Sequence, residues 1–353
     1  MMKRRTFLGG ALTASTLTAM SAGSLGAPSA TAQAAIPAPA APLVWPVVTK
    51  VPAGMRAFAG HTDTVPDVVG RIGTPASLVI FTEGNHLMAL LSDDILGAFP
   101  PWAKSQPRYA DLDLDNVVVV TVPQPAVVQM IRTGGLALGN LVLEVNRKSG
   151  FSDIVMVGPE PLRQLRKLGA IEPRARFFSR NRGFALLVRK GNPLGIHALV
   201  DVARSGGRIA LPEAASEPEA RARYRAAVDE LIGRPAADAL FAAETPNFPG
   251  RIGIVHRDLP EMVARGYADV ALTQYHPISY WTRIFPNHFA LVPVSGAERF
   301  FVKIAFGRVV DPLRPRALMA FEEFFFSRAR DVYPRYDFAR MNDDEYAEAL
   351  ALD

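Results

Sequence analysis

The chain has no cysteine among its 353 residues. That excludes a disulfide framework, a thiolate metal site and a catalytic thiol. It also leaves no thiol for a lipid anchor, so the mature protein is expected to be soluble and free to diffuse. Long apolar runs are missing as well. Each is broken by Gly, Pro or charge before it reaches the roughly 20 residues a membrane helix takes. Charge of one sign is equally scarce. The formal balance is +5, but Lys3, Arg4 and Arg5 supply three of the cations in a stretch of 34 residues without an acid. What remains is 36 basic against 34 acidic residues, which gives no nucleic-acid footprint. The Arg221, Arg223, Arg225 cluster is interleaved with acids and reads as a solvated helix face. No Gly-rich phosphate loop and no Gly-x-Ser-x-Gly nucleophile elbow occurs.

The first 34 residues carry a positive signal. An arginine pair, Arg4 and Arg5, precedes an apolar run from Phe7 to Met20 and a small-residue exit at Ala32, Gln33 and Ala34. This is the layout of an export signal, and the paired arginines point to the twin-arginine route and a periplasmic location. Residues 35–74 begin as a Pro/Ala-rich leader, which favours a stiff extended chain. His61 reads as a loop residue before the first strand.

From residue 77 the sequence alternates strand and helix patterns. Strands are expected at 77–81, 116–122, 153–157, 184–188, 208–211, 253–255, 269–273 and 301–307, and helices from about 86, at 126–132, 161–168, 218–231, 260–265 and 315–332. The segment 138–150 reads as an insertion with an extra strand or hairpin arm. This rhythm predicts an α/β fold with mainly parallel sheets flanked by helices, and about 319 residues suggest two lobes.

Several segments together resemble the type II periplasmic solute-binding proteins of ABC importers, within them the molybdate-binding group. They are Ser152 to Pro159 with Leu168 to Ile171, Phe178 to Arg182 with Lys190 to Pro193, Arg208 to Pro212, Gly266 to Asp269, and the tail ending Tyr336, Asp337, Phe338. The resemblance runs from Ser77 to Met341 and lies in the order and spacing of these segments. It implies lobe I from 75–184 plus 276–353, lobe II from 185–275, and a ligand cleft between them. It further implies hinge closure near 182–188 and 275–278, delivery of a small, molybdate-like oxyanion to an inner-membrane ABC permease, a monomer, no cofactor and no enzymatic activity. The chain departs from the family pattern at two turns. Pro123, Gln124 and Pro125 replace a hydroxyl-rich turn, and Thr82, Glu83, Gly84, Asn85 and His86 replace small and hydroxyl residues. Glu83 beside a dianion is repulsive unless its carboxylate is protonated or paired elsewhere.

Ligands in such sheets lie beyond the carboxyl ends of the strands, where loops enter helices. The candidate ligand-binding residues are therefore Thr82, Glu83, Gly84, Gln124, Gly158, Ser216, His256, Arg257, Tyr275 and His276. Glu83, His86, His256 and His276 offer a second reading, a nitrogen/oxygen site for a metal ion or chelate. The plain alternatives are that His86 caps a helix, His256 is a loop residue and His276 packs beside Tyr275. Likewise Arg257 either clamps an anion or pairs with Asp258 at a helix start, Ser216 is either a ligand contact or an ordinary N-cap, and Tyr275 either closes on ligand or fills the seam between lobes. A third reading is an exported enzyme with Glu83 and His256 or His276 as acid–base pair, for which no matched nucleophile is in sight.

Overall fold

The computed structural model describes residues 43, 56–58, 68–71, 74–138, 141–144, 152–246 and 255–353. The expected export signal, most of the leader with His61, the middle of the 138–150 insertion and most of the expected 253–255 strand lie outside these residues.

Two sheets organise the chain. The first has eight strands: β1 (Arg56–Phe58), β2 (Val68–Gly70), β3 (Leu78–Thr82), β4 (Val117–Thr121), β7 (Ile154–Val157), β8 (Ile171–Arg180), β13 (Lys303–Val309) and β14 (Ala349–Ala351). They run in the order β1-β2-β4-β3-β7-β13-β8-β14. The second has four, β9 (Phe184–Arg189), β10 (Ile209–Ala210), β11 (Val270–Gln274) and β12 (Phe289–Pro293), in the order β10-β11-β9-β12. A separate hairpin pairs β5 (Gly135–Leu138) with β6 (Leu141–Glu144).

The first sheet is parallel at its centre. β3 lies between β4 and β7 and is parallel to both. The antiparallel neighbours are β2 beside β4, β13 between β7 and β8, and β14 beside β8. The sequence explains the centre: Val117–Thr121 reads VVVVT and Leu78–Thr82 reads LVIFT. Such β-branched and apolar runs suit strands covered on both faces. Register then matters for function. Thr82 lies opposite Thr121 on one side and Met156 on the other, so three strands end level and their following turns share one edge.

One buried ion pair fastens this centre. Asp153 is fully buried and accepts from the Val79 N–H (2.9 Å), the Arg314 N–H (3.1 Å) and Arg314 Nη1 (3.0 Å). It links the start of β7 to β3 and to the approach of the Pro315–Val332 helix.

The strand pairing keeps the chain with the second sheet beyond residue 276. The Tyr275–Ile284 helix packs on β9, β11 and β12, and β12 pairs antiparallel with β9. The chain therefore returns to the first sheet only between Pro293 and Lys303. β12 ends in proline and is short and partly exposed, so it carries little of the alternation by which a strand is read from sequence. The Val255–Ala264 helix begins earlier than expected, with Pro260 inside it. Burial of Leu259, Met262 and Val263 on the second sheet's side of the core outweighs the weak local propensity.

Candidate functional site

The level strand ends bring three turns together. Gln124 opens the Gln124–Thr133 helix after β4, and Gly158 precedes the Pro159–Lys167 helix after β7. The Gly158 N–H donates to Gln124 Oε1 at 3.1 Å, and Gln124 Nε2 donates to Glu83 Oε2. Glu83 Oε1 lies 2.9 Å from His86 Nε2. Glu83 is 4% exposed, and burial pushes its carboxyl upward. The contact with His86, the bond from Gln124 and the charge of Arg223 together outweigh burial and hold it below the usual carboxylate range. The pairing that a carboxylate at this turn requires is thus present, and Glu83 is ionised. Thr82 is fully buried and its hydroxyl donates to the Glu83 and Met156 carbonyls, which makes it a support for the turn.

The opposite wall comes from the second sheet's helices. A cleft is lined by Glu83, Gly84, Gln124 and the flanking Pro123 and Pro125 on one side, and by Glu217, Glu219, Ala220 and Arg223 on the other, with Gln274 from the end of β11. Glu217, Glu219, Ala220, Arg223 and Gln274, with Asn85, Pro123 and Pro125, were not among the residues expected from sequence to bind ligand. A signal existed: 219, 220 and 223 recur at helical spacing on the Pro218–Ile232 helix. Their neighbours differ in role, because Arg221 pairs with Glu244 and Arg225 with Asp229 and Asp238. Among the described residues, Arg223 makes no ion pair, and it lines the same cleft as Glu83, whose carboxyl its charge helps to lower.

Other candidates lie elsewhere. Ser216 donates to Glu213 Oε2 at 3.0 Å and is not part of the cleft lining. Tyr275 donates its N–H to the Gly183 carbonyl, and the Arg182 guanidinium stacks 4.3 Å from its ring centre. It packs against the segment that joins β8 to β9. His256 and Arg257 have their backbone in the Val255–Ala264 helix, and their side chains lie outside what the structure describes.

The whole arrangement, two helix-flanked sheets with a cleft between their strand ends, finds its counterpart among known proteins. The profile of the family described as "Bacterial extracellular solute-binding protein" matches residues 104–332. The chain belongs to that family. Solved structures agree at the level of fold. The sulfate-binding protein SubI from Mycobacterium tuberculosis H37Rv superposes with a TM-score of 0.51 at 14% identity, over 78% of this chain and 90% of that one. The periplasmic binding protein P5PA gives 0.51 at 10% identity, over 79% and 89%. Iron-bound HitA from Pseudomonas aeruginosa gives 0.47 at 13% identity, over 78% and 89%. No curated protein sequence matches significantly. The fold is the two-lobe periplasmic one, and no helix among the described residues is long and apolar enough to cross a membrane.

In this solute-binding protein two of the expected histidines, His86 and His276, are buried near Glu83, and the side chain of the third, His256, lies outside the described residues. Among the described residues, no group of three or more His, Asp and Glu side chains is placed to hold a metal ion. His86, 1% exposed, occupies the N-cap position of the Leu87–Leu90 turn without capping it through its side chain. Its ring stacks on Phe338 at 4.9 Å, and Nδ1 lies 3.4 Å from the Ser179 hydroxyl. His276 packs on Phe338 at 3.9 Å, and neither ring nitrogen makes a well-formed hydrogen bond.

Burial, followed by the charge of His86, holds His276 well below 6.5, and the Asn85 backbone offsets this only in part. An unfolded chain takes up a proton below about pH 6.5 that folded His276 refuses, so stability falls as pH drops through that value. Glu83, with its depressed folded value, adds a second loss below about 4.5. Denaturant midpoints measured between pH 7.5 and 4 are expected to fall in these two windows, with a slope of at most about 1.4 kcal/mol per pH unit for each group. His276→Phe is expected to flatten the first fall and leave the second. An unchanged first window in that variant would count against His276 as its source.

Proposed function

We propose that the protein is the substrate-binding component of an ABC importer, exported by the twin-arginine route, acting as a monomer and without cofactor or catalysis. It captures a small anion in the cleft and hands it to an inner-membrane permease. Ligand contacts from both walls favour the closed arrangement, with the connections at 181–183 and 294–302 flexing while each sheet stays rigid. On this reading lobe I comprises the first sheet and its helices, and lobe II the second. The observation that carries the proposal is Arg223, a guanidinium without an ion-pair partner among the described residues, facing the ionised Glu83 turn across the cleft. A guanidinium presents a fork of donors matched to an oxyanion or carboxylate.

The charge of the wall narrows the cargo. Glu83, Glu217 and Glu219 line the same cleft as Arg223, and a molybdate-like dianion would meet three carboxylates. A singly charged anion meets less repulsion and keeps the Arg223 contact. The related structure named for sulfate binding is consistent with cleft capture of a small anion.

A thermal-shift panel of sulfate, molybdate, phosphate, small carboxylates and divalent metals, each with and without chelator, tests this. A ligand at 100 times its dissociation constant adds about 2.7 kcal/mol of stability. Stabilisation by a monovalent anion is expected to survive chelator, and Arg223→Gln is expected to weaken it by ~10- to 100-fold, the worth of a charge-assisted hydrogen bond. Stabilisation by a metal alone, abolished by chelator, would replace this reading with the metal-receptor one.

A further inference from the structure

A second cavity adjoins the cleft and shares two of its residues, Arg223 and Gln274. Its volume is about 290 Å³, far above the roughly 10–15 Å³ that one water requires. Its walls are apolar and aromatic. Phe184 meets Tyr224 edge-on at 5.7 Å and Phe300 at 6.2 Å, so the three rings form one continuous wall, and Ala226 and Ala227 line the cavity beside them. The one carboxylate in the described lining, Glu230, is paired with Arg299 at 2.8 Å.

Arg223 and Gln274 lie where the cavity meets the cleft, and Asn181 lines the cavity with them. Asn181 is 5% exposed and spends its carbonyl oxygen on the N–H groups of Gly183 (3.2 Å) and Val302 (2.8 Å). Its amide nitrogen is left as a donor in the cavity lining. With Arg223 and the Gln274 amide it forms a donor-rich mouth to an apolar chamber. An inorganic oxyanion would engage the mouth and leave the chamber with no partner for its aromatic walls. A ligand with an anionic head and an apolar body satisfies both ends at once.

We infer that the cargo is an organic monocarboxylate with an aryl or similarly compact apolar body, its carboxylate held by Arg223 and Asn181 and its body lying in the cavity against the wall of Phe184, Tyr224 and Phe300. This deepens the importer reading and rests on it. The two carry separate burdens, since the importer reading needs only an anion in the cleft, whereas this inference needs the chamber.

The test uses the purified protein and five probes: phenylacetate, acetate, benzyl alcohol, sulfate and the zinc ion. Dissociation constants are measured calorimetrically for the parent and for Ala226→Phe. Ala226 is exposed on its helix and lines the chamber, so the larger side chain fills space without entering the packed core. Phenylacetate is expected to bind at least tenfold more tightly than acetate or benzyl alcohol, and Ala226→Phe to weaken phenylacetate by at least tenfold while leaving acetate unchanged. Sulfate or acetate binding as tightly as phenylacetate, or phenylacetate binding unaffected by Ala226→Phe, would overturn the inference and leave the importer reading standing. Binding of a divalent metal with silence from every anion would overturn both.

Discussion

Replacing Asp153 by Ala is expected to cost about 3–5 kcal/mol of folding stability. The carboxylate's own ionisation is not the source of that figure. Burial outweighs the neighbouring Arg314 and pushes the Asp153 carboxyl upward, so its charged form is tolerated and not favoured. The loss comes from what the substitution leaves behind. The Arg314 guanidinium, 17% exposed, would lie against the core without a counter-charge. The Val79 and Arg314 N–H groups would each lose an acceptor, and an orphaned buried donor costs roughly 1–3 kcal/mol. Guanidinium denaturation should show a lower midpoint with an unchanged slope. Arg335, 61% exposed and paired with Asp94, serves as the contrast, because Arg335→Ala should change stability by less than about 1 kcal/mol. Equal losses in the two variants would contradict the assignment of Asp153 as the fastening of β7 to β3.

A second large effect is expected at Gly183, in the first connection between the sheets. Its φ is +71°, and a Cβ built there would lie 1.9 Å from the Ala297 carbonyl oxygen and 2.5 Å from its carbon. Gly183→Ala therefore combines a left-handed backbone, roughly 1–2 kcal/mol for a residue with a side chain, with a collision against the second connection that only backbone movement relieves. Gly195 separates the two contributions, since its φ is +61° and a methyl group added there would meet nothing within 4 Å. Gly195→Ala should show the conformational cost alone. Gly183→Ala should lose more stability and, beyond that, weaken ligand binding more than tenfold, because the displaced segment carries Phe300 and Val302. Equal behaviour of the two variants would mean that the connections accommodate a methyl group and are not tightly nested.

The fold was legible where local chemistry and tertiary position agree. The runs at Leu78–Thr82, Val117–Thr121 and Phe184–Arg189 announce buried strands through β-branched and apolar residues alone, and the turns after the first two, read from sequence as corners, line the cleft. Glu83 stood out because a carboxylate is the wrong charge for a bare dianion site, and the structure resolves the conflict through Gln124 and His86. Arg223 was hidden for the opposite reason. It is one of three arginines in five positions, and only the tertiary placement shows that two are neutralised by acids of their own lobe while the third faces another sheet. β12 and the late return of the chain were equally hidden, since a proline-terminated edge strand carries little pattern and its partner, β9, lies some hundred residues earlier.

The connections have a topological consequence. The Asn181 N–H donates to the Val302 carbonyl at 3.0 Å, and Val302 donates back to Asn181 Oδ1 although the two are 121 positions apart in sequence. The second sheet is thus an excursion from the first whose two ends already touch. Bridging 181 to 302 with a few residues would shorten the chain without stretching it, and the excised loop, its own ends adjacent, could be closed into a ring at small entropic cost. The second sheet is entered and left at a single seam, where the two connections hold each other.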